Sequence, residues 1–213
     1  MPILPAEPEM YPDTLWDSEW LGAEEDHRWW CLHTKPRQEK MLARVLRARG
    51  VAHYLPKVTQ ESRTPGGRKI ESTIPLFPGY LFLYGDDHDR AEAIQGNHLA
   101  NMLEIWDQEA LERDLRGVHR MLSSGMAITA EPNLQVGDLV RILTGPLRGL
   151  IGTITRRNGR DKLVAVVHFL GRGAAIDLQD WQVEPVSDST ELFTGQVRIA
   201  ERTMSARFVS SAS

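Results

Sequence analysis

The chain has 213 residues, with 25 Lys plus Arg against 29 Asp plus Glu, a net charge of −4 and 41% hydrophobic residues. That is globular composition with room for one large domain or two small ones, and no apolar run approaches the roughly 20 residues of a membrane helix. Cys31 is the single cysteine, which excludes an internal disulfide and a multi-cysteine zinc site and points to the cytoplasm.

Residues 1–26 carry eight acids, no bases and four prolines, leaving a mildly basic remainder of 25 bases against 21 acids. This reads as an acidic, disordered leader without a signal peptide, in which Leu15, Trp16, Trp20 and Leu21 offer a short docking turn. Residues 28–34 (Arg-Trp-Trp-Cys-Leu-His-Thr) read as a strand. Trp30 and Leu32 share one face of it; Trp29, Cys31 and His33 share the other. A helix is expected over 36–49, with Thr34 as cap and Gly50 as stop. Its polar face carries Arg37, Lys40, Arg44 and Arg47. A second strand covers 51–58, and the polar segment 59–73 reads as a hairpin arm turning at Pro65-Gly66-Gly67.

An aromatic strand follows at 79–84, a short helix at 87–95 and a strand at 102–106. Asp107 then caps a helix to Ser123 with a stripe of Leu111, Leu115, Val118 and Leu122. The order predicts an α+β fold over 27–123, with helices backing one face of an antiparallel sheet. Residues 124–133 read as a flexible linker. Five short strands at 139–143, 150–155, 163–169, 174–178 and 181–184, with glycine turns, predict a small five-stranded barrel over 134–187. Residues 188–213 read as a tail.

No P-loop, nucleophile elbow, HExxH or Cys-x-x-Cys occurs, so neither an enzyme nor a metal or cofactor site is expected. Two segments stand out. In Pro75-Leu-Phe-Pro-Gly-Tyr-Leu-Phe82, Tyr80 and Phe82 share a strand face; with helices on the other face only, they form an aromatic patch suited to an interface. The second segment runs from Val136-Gly-Asp to Gly149-Leu-Ile-Gly-Thr-Ile154 and resembles the KOW motif of ribosomal proteins and elongation factors. Gly137, Asp138, Val140, Gly145, Pro146, Gly149 and Gly152 carry the match.

Together with Trp29-Trp30-Cys-Leu-His-Thr-Lys-Pro-Arg-Gln-Glu39 and Leu55-Pro56, these segments make residues 28–187 similar to the NusG family of transcription factors. The resemblance implies an NGN domain that rides on RNA polymerase and an SH3-like KOW barrel that recruits a second partner. Carried over residue by residue, it offers His33, Phe77, Tyr80 and Phe82 for the polymerase clamp helices. Lys35, Arg37, Gln38 and Lys40 are offered for the displaced non-template DNA strand, and Phe169, Leu170, Gly171 and Arg172 for a KOW partner, either Rho or a small-subunit ribosomal protein. It also implies a monomer without a membrane role. Two readings stay open within the family, a general NusG and an operon-specific antiterminator of the RfaH type; a ribosome-associated KOW protein is the alternative outside it. Unlike RfaH, whose C-terminal domain can be helical, this one reads as strands whether free or bound. A helix across its first half would carry four glycines and a proline, about 7 kcal/mol worse than alanine. Residues 169–172 are then expected to be exposed.

Overall fold

The computed structural model describes residues 8–17, 26–63, 67–131, 138–157, 160–167, 170–177 and 183–186. Its centre is an antiparallel pairing of two apolar strands, β2 (Arg28–Thr34) and β6 (Tyr80–Gly85). With β1 (Met10–Tyr11), β3 (His53–Tyr54) and β7 (Leu99–Leu103) they form a five-stranded sheet in the order β1-β3-β6-β2-β7. The hairpin arm is present as β4 (Lys57–Arg63) and β5 (Lys69–Pro75), paired antiparallel. The expected strand over 51–58 is thus two strands, divided at Leu55-Pro56, because proline supplies no ladder donor.

Strand alternation sorts the sheet into two cores. Trp30, Leu32, Leu81 and Leu83 pack with Leu42, Ala43 and Leu46 of α1 (Glu39–Ala48) and Ala93 of α2 (Asp87–Gln95). Trp29, Cys31, Tyr54, Phe82 and Tyr84 pack on the other side with Leu111, Leu115, Val118 and Met121 of α3 (Gln108–Ser123). Helices therefore cover both faces of the sheet, not one as expected. The α+β class stands. α1 begins three residues later than the sequence suggests: Arg37 has a left-handed φ of 62°, Gln38 is the N-cap, and Thr34 stays in β2, donating its backbone N–H to Gly79. Asp86 and Asp107 cap α2 and α3 by accepting from Asp89 and Ala110.

The leader is not disordered over residues 8–17. Met10 and Tyr11 pair with Tyr54 and His53, and Leu15 is fully buried. Its apolar residues outweigh its acids locally, because the edge of β3 and the space beside α3 accept them. Residues 1–7 and 18–25 lie outside the described residues.

A second sheet runs β13-β9-β10-β11-β12-β8, where β8 is Ile128–Glu131, β9 Asp138–Ile142, β10 Ile151–Arg157, β11 Arg160–Val167, β12 Arg172–Asp177 and β13 Val183–Pro185. Two expectations change here. The segment 124–133, read as a linker, contributes β8, which pairs with β12 from Ile128↔Ile176 to Glu131↔Gly173. The expected five-stranded barrel is a six-stranded sheet whose end strands β13 and β8 are not paired with each other among the described residues. The strand reading itself holds. Residues 188–213, the expected tail, lie outside the described residues.

The two sheets share a core. Val140, Ile142, Leu147, Leu150, Ala174 and Ile176 belong to the same apolar cluster as α3. A Cβ on Gly117 would sit 3.4 Å from the Leu150 side chain, and Arg120 donates to the Arg148 carbonyl at 2.7 Å. The C-terminal sheet is thus docked on α3.

Burial also fixes protonation. The Cys31 thiol is pushed up to about 12 by its apolar surroundings. His53, 1% exposed and bonded through Nδ1 to the Val51 carbonyl at 2.9 Å, is lowered to about 4, chiefly by desolvation and further by Arg47 and Lys57. Between about 4 and the unfolded value near 6.5, the unfolded chain binds the extra proton. Stability therefore rises with pH through that window and is lost on acidification. His53→Gln should remove up to about 3 kcal/mol of the stability difference between pH 7 and pH 4.5, read from urea unfolding at both pH values.

Candidate functional site

The β2–β6 register sets the candidate polymerase residues. His33 lies opposite Tyr80 and Cys31 opposite Phe82. The His33 and Tyr80 rings stack at 5.0 Å with 22° between planes, partly exposed at the end of the two central strands. Phe77 and Phe82 are 1% and 0% exposed and meet edge-on at 6.4 Å. The aromatic patch read from sequence is therefore divided. Tyr80 and His33 reach the surface, whereas Phe77 and Phe82 are core, because α3 covers the face that alternation alone left open.

A tight turn delivers Tyr80. Gly79 has φ 88°, a conformation that only glycine adopts without strain. Its N–H donates to Glu39 Oε1 at 2.7 Å. Glu39 is 6% exposed at the start of α1, so this carboxylate fixes the turn before Tyr80. Sequence reading gave Glu39 no role; a helix's first acid usually caps its own helix, and nothing local links it to a glycine forty residues on.

The basic residues meet at the adjoining corner, where β2 passes into α1. Lys35 Nζ bonds Asn97 Oδ1 at 2.6 Å, and the Lys35 N–H donates to the His98 carbonyl at 2.8 Å. Gln38 Oε1 is 3.0 Å from His98 Nδ1. Lys40 Nζ donates to the Thr73 carbonyl at the base of the hairpin arm. Arg37 stands exposed on its left-handed backbone. Lys35, Gln38 and Lys40 are thus engaged in holding the corner together, and Arg37 is the one of the four without such a role among the described residues. Asn97 and His98 of the α2–β7 loop are the corner residues that sequence reading missed.

Of the KOW candidates, Leu170, Gly171 and Arg172 are half-buried rather than freely exposed. Leu170 packs at the margin of the shared core. Arg172 lies with its guanidinium 5.1 Å from the Tyr80 ring centroid and donates to the Pro78 carbonyl at 3.4 Å, a cation–π contact across the two sheets. Gly171 has φ 60°. Phe169 lies outside the described residues. The C-terminal sheet folds back onto the N-terminal one, so the expectation of exposed residues 169–172 fails for Leu170 and Arg172.

A helix-flanked sheet with an aromatic–imidazole stack at the end of its central strands and a basic corner beside it, followed by a glycine-turned β-sheet unit, has the surfaces of a binding protein. Residues 27–135 match the family described as "Transcription termination factor nusG", and residues 136–168 match the KOW motif. The chain belongs to the NusG family. It is 29% identical to the transcription termination/antitermination protein NusG of Thermus thermophilus over 177 residues, covering 73% of this chain and 96% of that protein. It is 25% identical to the protein of the same description from Deinococcus radiodurans over 185 residues, covering 73% and 97%. It is a non-catalytic factor acting in transcription elongation and its termination or antitermination.

The division of the aromatic patch is measurable. Phe82→Ala should cost about 3–5 kcal/mol, as for a filled core position, whereas Tyr80→Ala should cost about 1 kcal/mol or less. Equilibrium unfolding of the two variants checks the difference.

Proposed function

We propose that the Tyr80–His33 pair binds the clamp helices of RNA polymerase and that Arg37, with Lys35, Gln38 and Lys40 shaping the corner, meets the displaced non-template strand. The observation that carries the reading is the stacked, partly exposed His33–Tyr80 pair on two central strands whose other aromatics, Trp29, Trp30, Phe82 and Tyr84, are buried. A factor that binds the closed clamp better than the open one shifts the polymerase away from paused states. The C-terminal sheet recruits the second factor, Rho or a small-subunit ribosomal protein. The protein works as a cytoplasmic monomer. Family membership supports this reading over that of a ribosome-associated KOW protein.

In the arrangement described here Arg172 lies over Tyr80. Polymerase binding through Tyr80 therefore requires that contact to open, and the same opening frees Leu170 and Arg172 for a second partner. Both interfaces become available in one step.

Binding of the full chain to purified core polymerase tests the reading. Tyr80→Ala with His33→Ala should weaken it about 30-fold, the loss expected for about 2 kcal/mol at an interface centre. Arg172→Ala should strengthen it several-fold by removing the competing contact. Undiminished binding by the folded double variant overturns the assignment.

The DNA contact has its own readout. With a polymerase–scaffold complex carrying an exposed non-template strand, Arg37→Ala should lower the slope of log affinity against log salt by about 0.7, one phosphate contact on a single strand. Affinity without DNA should not change.

A further inference from the structure

α3 touches β2 on its N-terminal side and packs along β11 and β12 on the other. What completes its seat on the first sheet is the segment 8–17. Trp16 stacks on Trp29 of β2 at 5.6 Å, meets Tyr54 of β3 edge-on at 5.1 Å, and stacks on His119 of α3 at 5.6 Å. Arg116 of α3 lies 5.4 Å over the same indole and donates to the Trp16 carbonyl at 2.7 Å. One side chain thus joins three elements. The segment is anchored upstream as well: Leu55 donates to the Glu9 carbonyl at 2.6 Å, Lys57 to Pro8 at 3.1 Å, and Arg47 to Met10.

The faces of α3 divide the work. Arg116 and His119, three apart and so side by side, hold the segment. Gly117 and Arg120, one position further on, meet Leu150 and the Arg148 carbonyl of the C-terminal sheet. The position of one helix therefore serves two contacts, and residues 8–17 lie outside the span 27–168 that matches the family and its KOW motif.

We propose that residues 8–17 are an intramolecular strap that seats α3, and that the C-terminal sheet stays docked only while α3 is seated. Trp16 is the positioning residue. Lifting it frees the Arg116–His119 face, lets α3 move away from β2 and β3, and withdraws the surface that Leu150 and Arg148 rest on. The consequence for Tyr80, which Arg172 then leaves, rests on the polymerase reading; the docking itself does not.

Hydrogen exchange and small-angle X-ray scattering of the full chain, without polymerase, decide it. Trp16→Ala should speed amide exchange about tenfold in α3, β11 and β12 and increase the radius of gyration, while α1, β2 and β6 keep their protection. Exchange in α3 within twofold of the parent, at unchanged size, overturns the proposal. If Trp16→Ala also exposes β2 and β6, Arg116→Gln, which leaves the apolar core intact, is judged by the same two outcomes. Coupling is reciprocal, so Leu150→Asp must speed exchange at residues 10–16. Unchanged protection there, with the C-terminal sheet detached, also overturns it. Failed polymerase binding with an intact exchange pattern would count against the function, not against the strap.

Discussion

The antiparallel pairing of β2 with β6 is the interaction on which the other features depend. It joins residues some fifty positions apart in register, Trp29 to Tyr84, Cys31 to Phe82 and His33 to Tyr80. Because side chains alternate, that one register assigns every large residue of both strands to a face. A slip of one residue would exchange the Leu32–Leu81 face, which accepts α1 and α2, with the Cys31–Phe82 face, which accepts α3. It would also remove the ring stack at the strand ends and leave Glu39 without the glycine N–H it holds. The candidate site is therefore a by-product of core packing, displayed where the core runs out.

Much of this was readable in the amino-acid order. Asp107 at the start of α3 and the Leu111–Leu115–Val118 stripe mark a helix by local chemistry alone. The hairpin arm follows from its polar strands around Pro65-Gly66-Gly67, and the strand character of the C-terminal unit from its β-branched residues and glycines. What was not readable depends on partners distant in the chain. Phe82 has the same local pattern as Tyr80, and only the position of α3 distinguishes a buried ring from a surface one. Nothing in the sequence signals the left-handed backbone of Arg37, so the expected helix starts three residues ahead of α1. The segment 8–17 was hidden by its acids: composition reports an average, while Leu15 and Trp16 respond to a particular groove.

The same limit applies to residues 124–133. Small and polar residues near Ser124 and Gly125 read as a tether, yet Ile128–Glu131 is held by β12. Once that strand is paired, the two sheets are joined by a short path and by the shared apolar cluster around α3, and their relation becomes a matter of packing as well as of connection. The contact of Arg172 with Tyr80 follows from that packing. A cation placed over a partly exposed ring is a modest attraction, small beside the buried leucines and valines around α3, so the apolar cluster holds the sheets together and the arginine chooses what they cover.

The segment 8–17 has a practical consequence for handling the protein. A chain trimmed to start at residue 27, where the family match begins, would lose the strand that closes the β3 edge and the Leu15 side chain that fills the core. It would leave Trp29 and Tyr54 facing water beside an unpaired strand. Open strand edges and contiguous apolar surface are the two features that draw chains into self-association. Such a trimmed form would be expected to express as aggregate and to be rescued by adding back a peptide spanning residues 8–17.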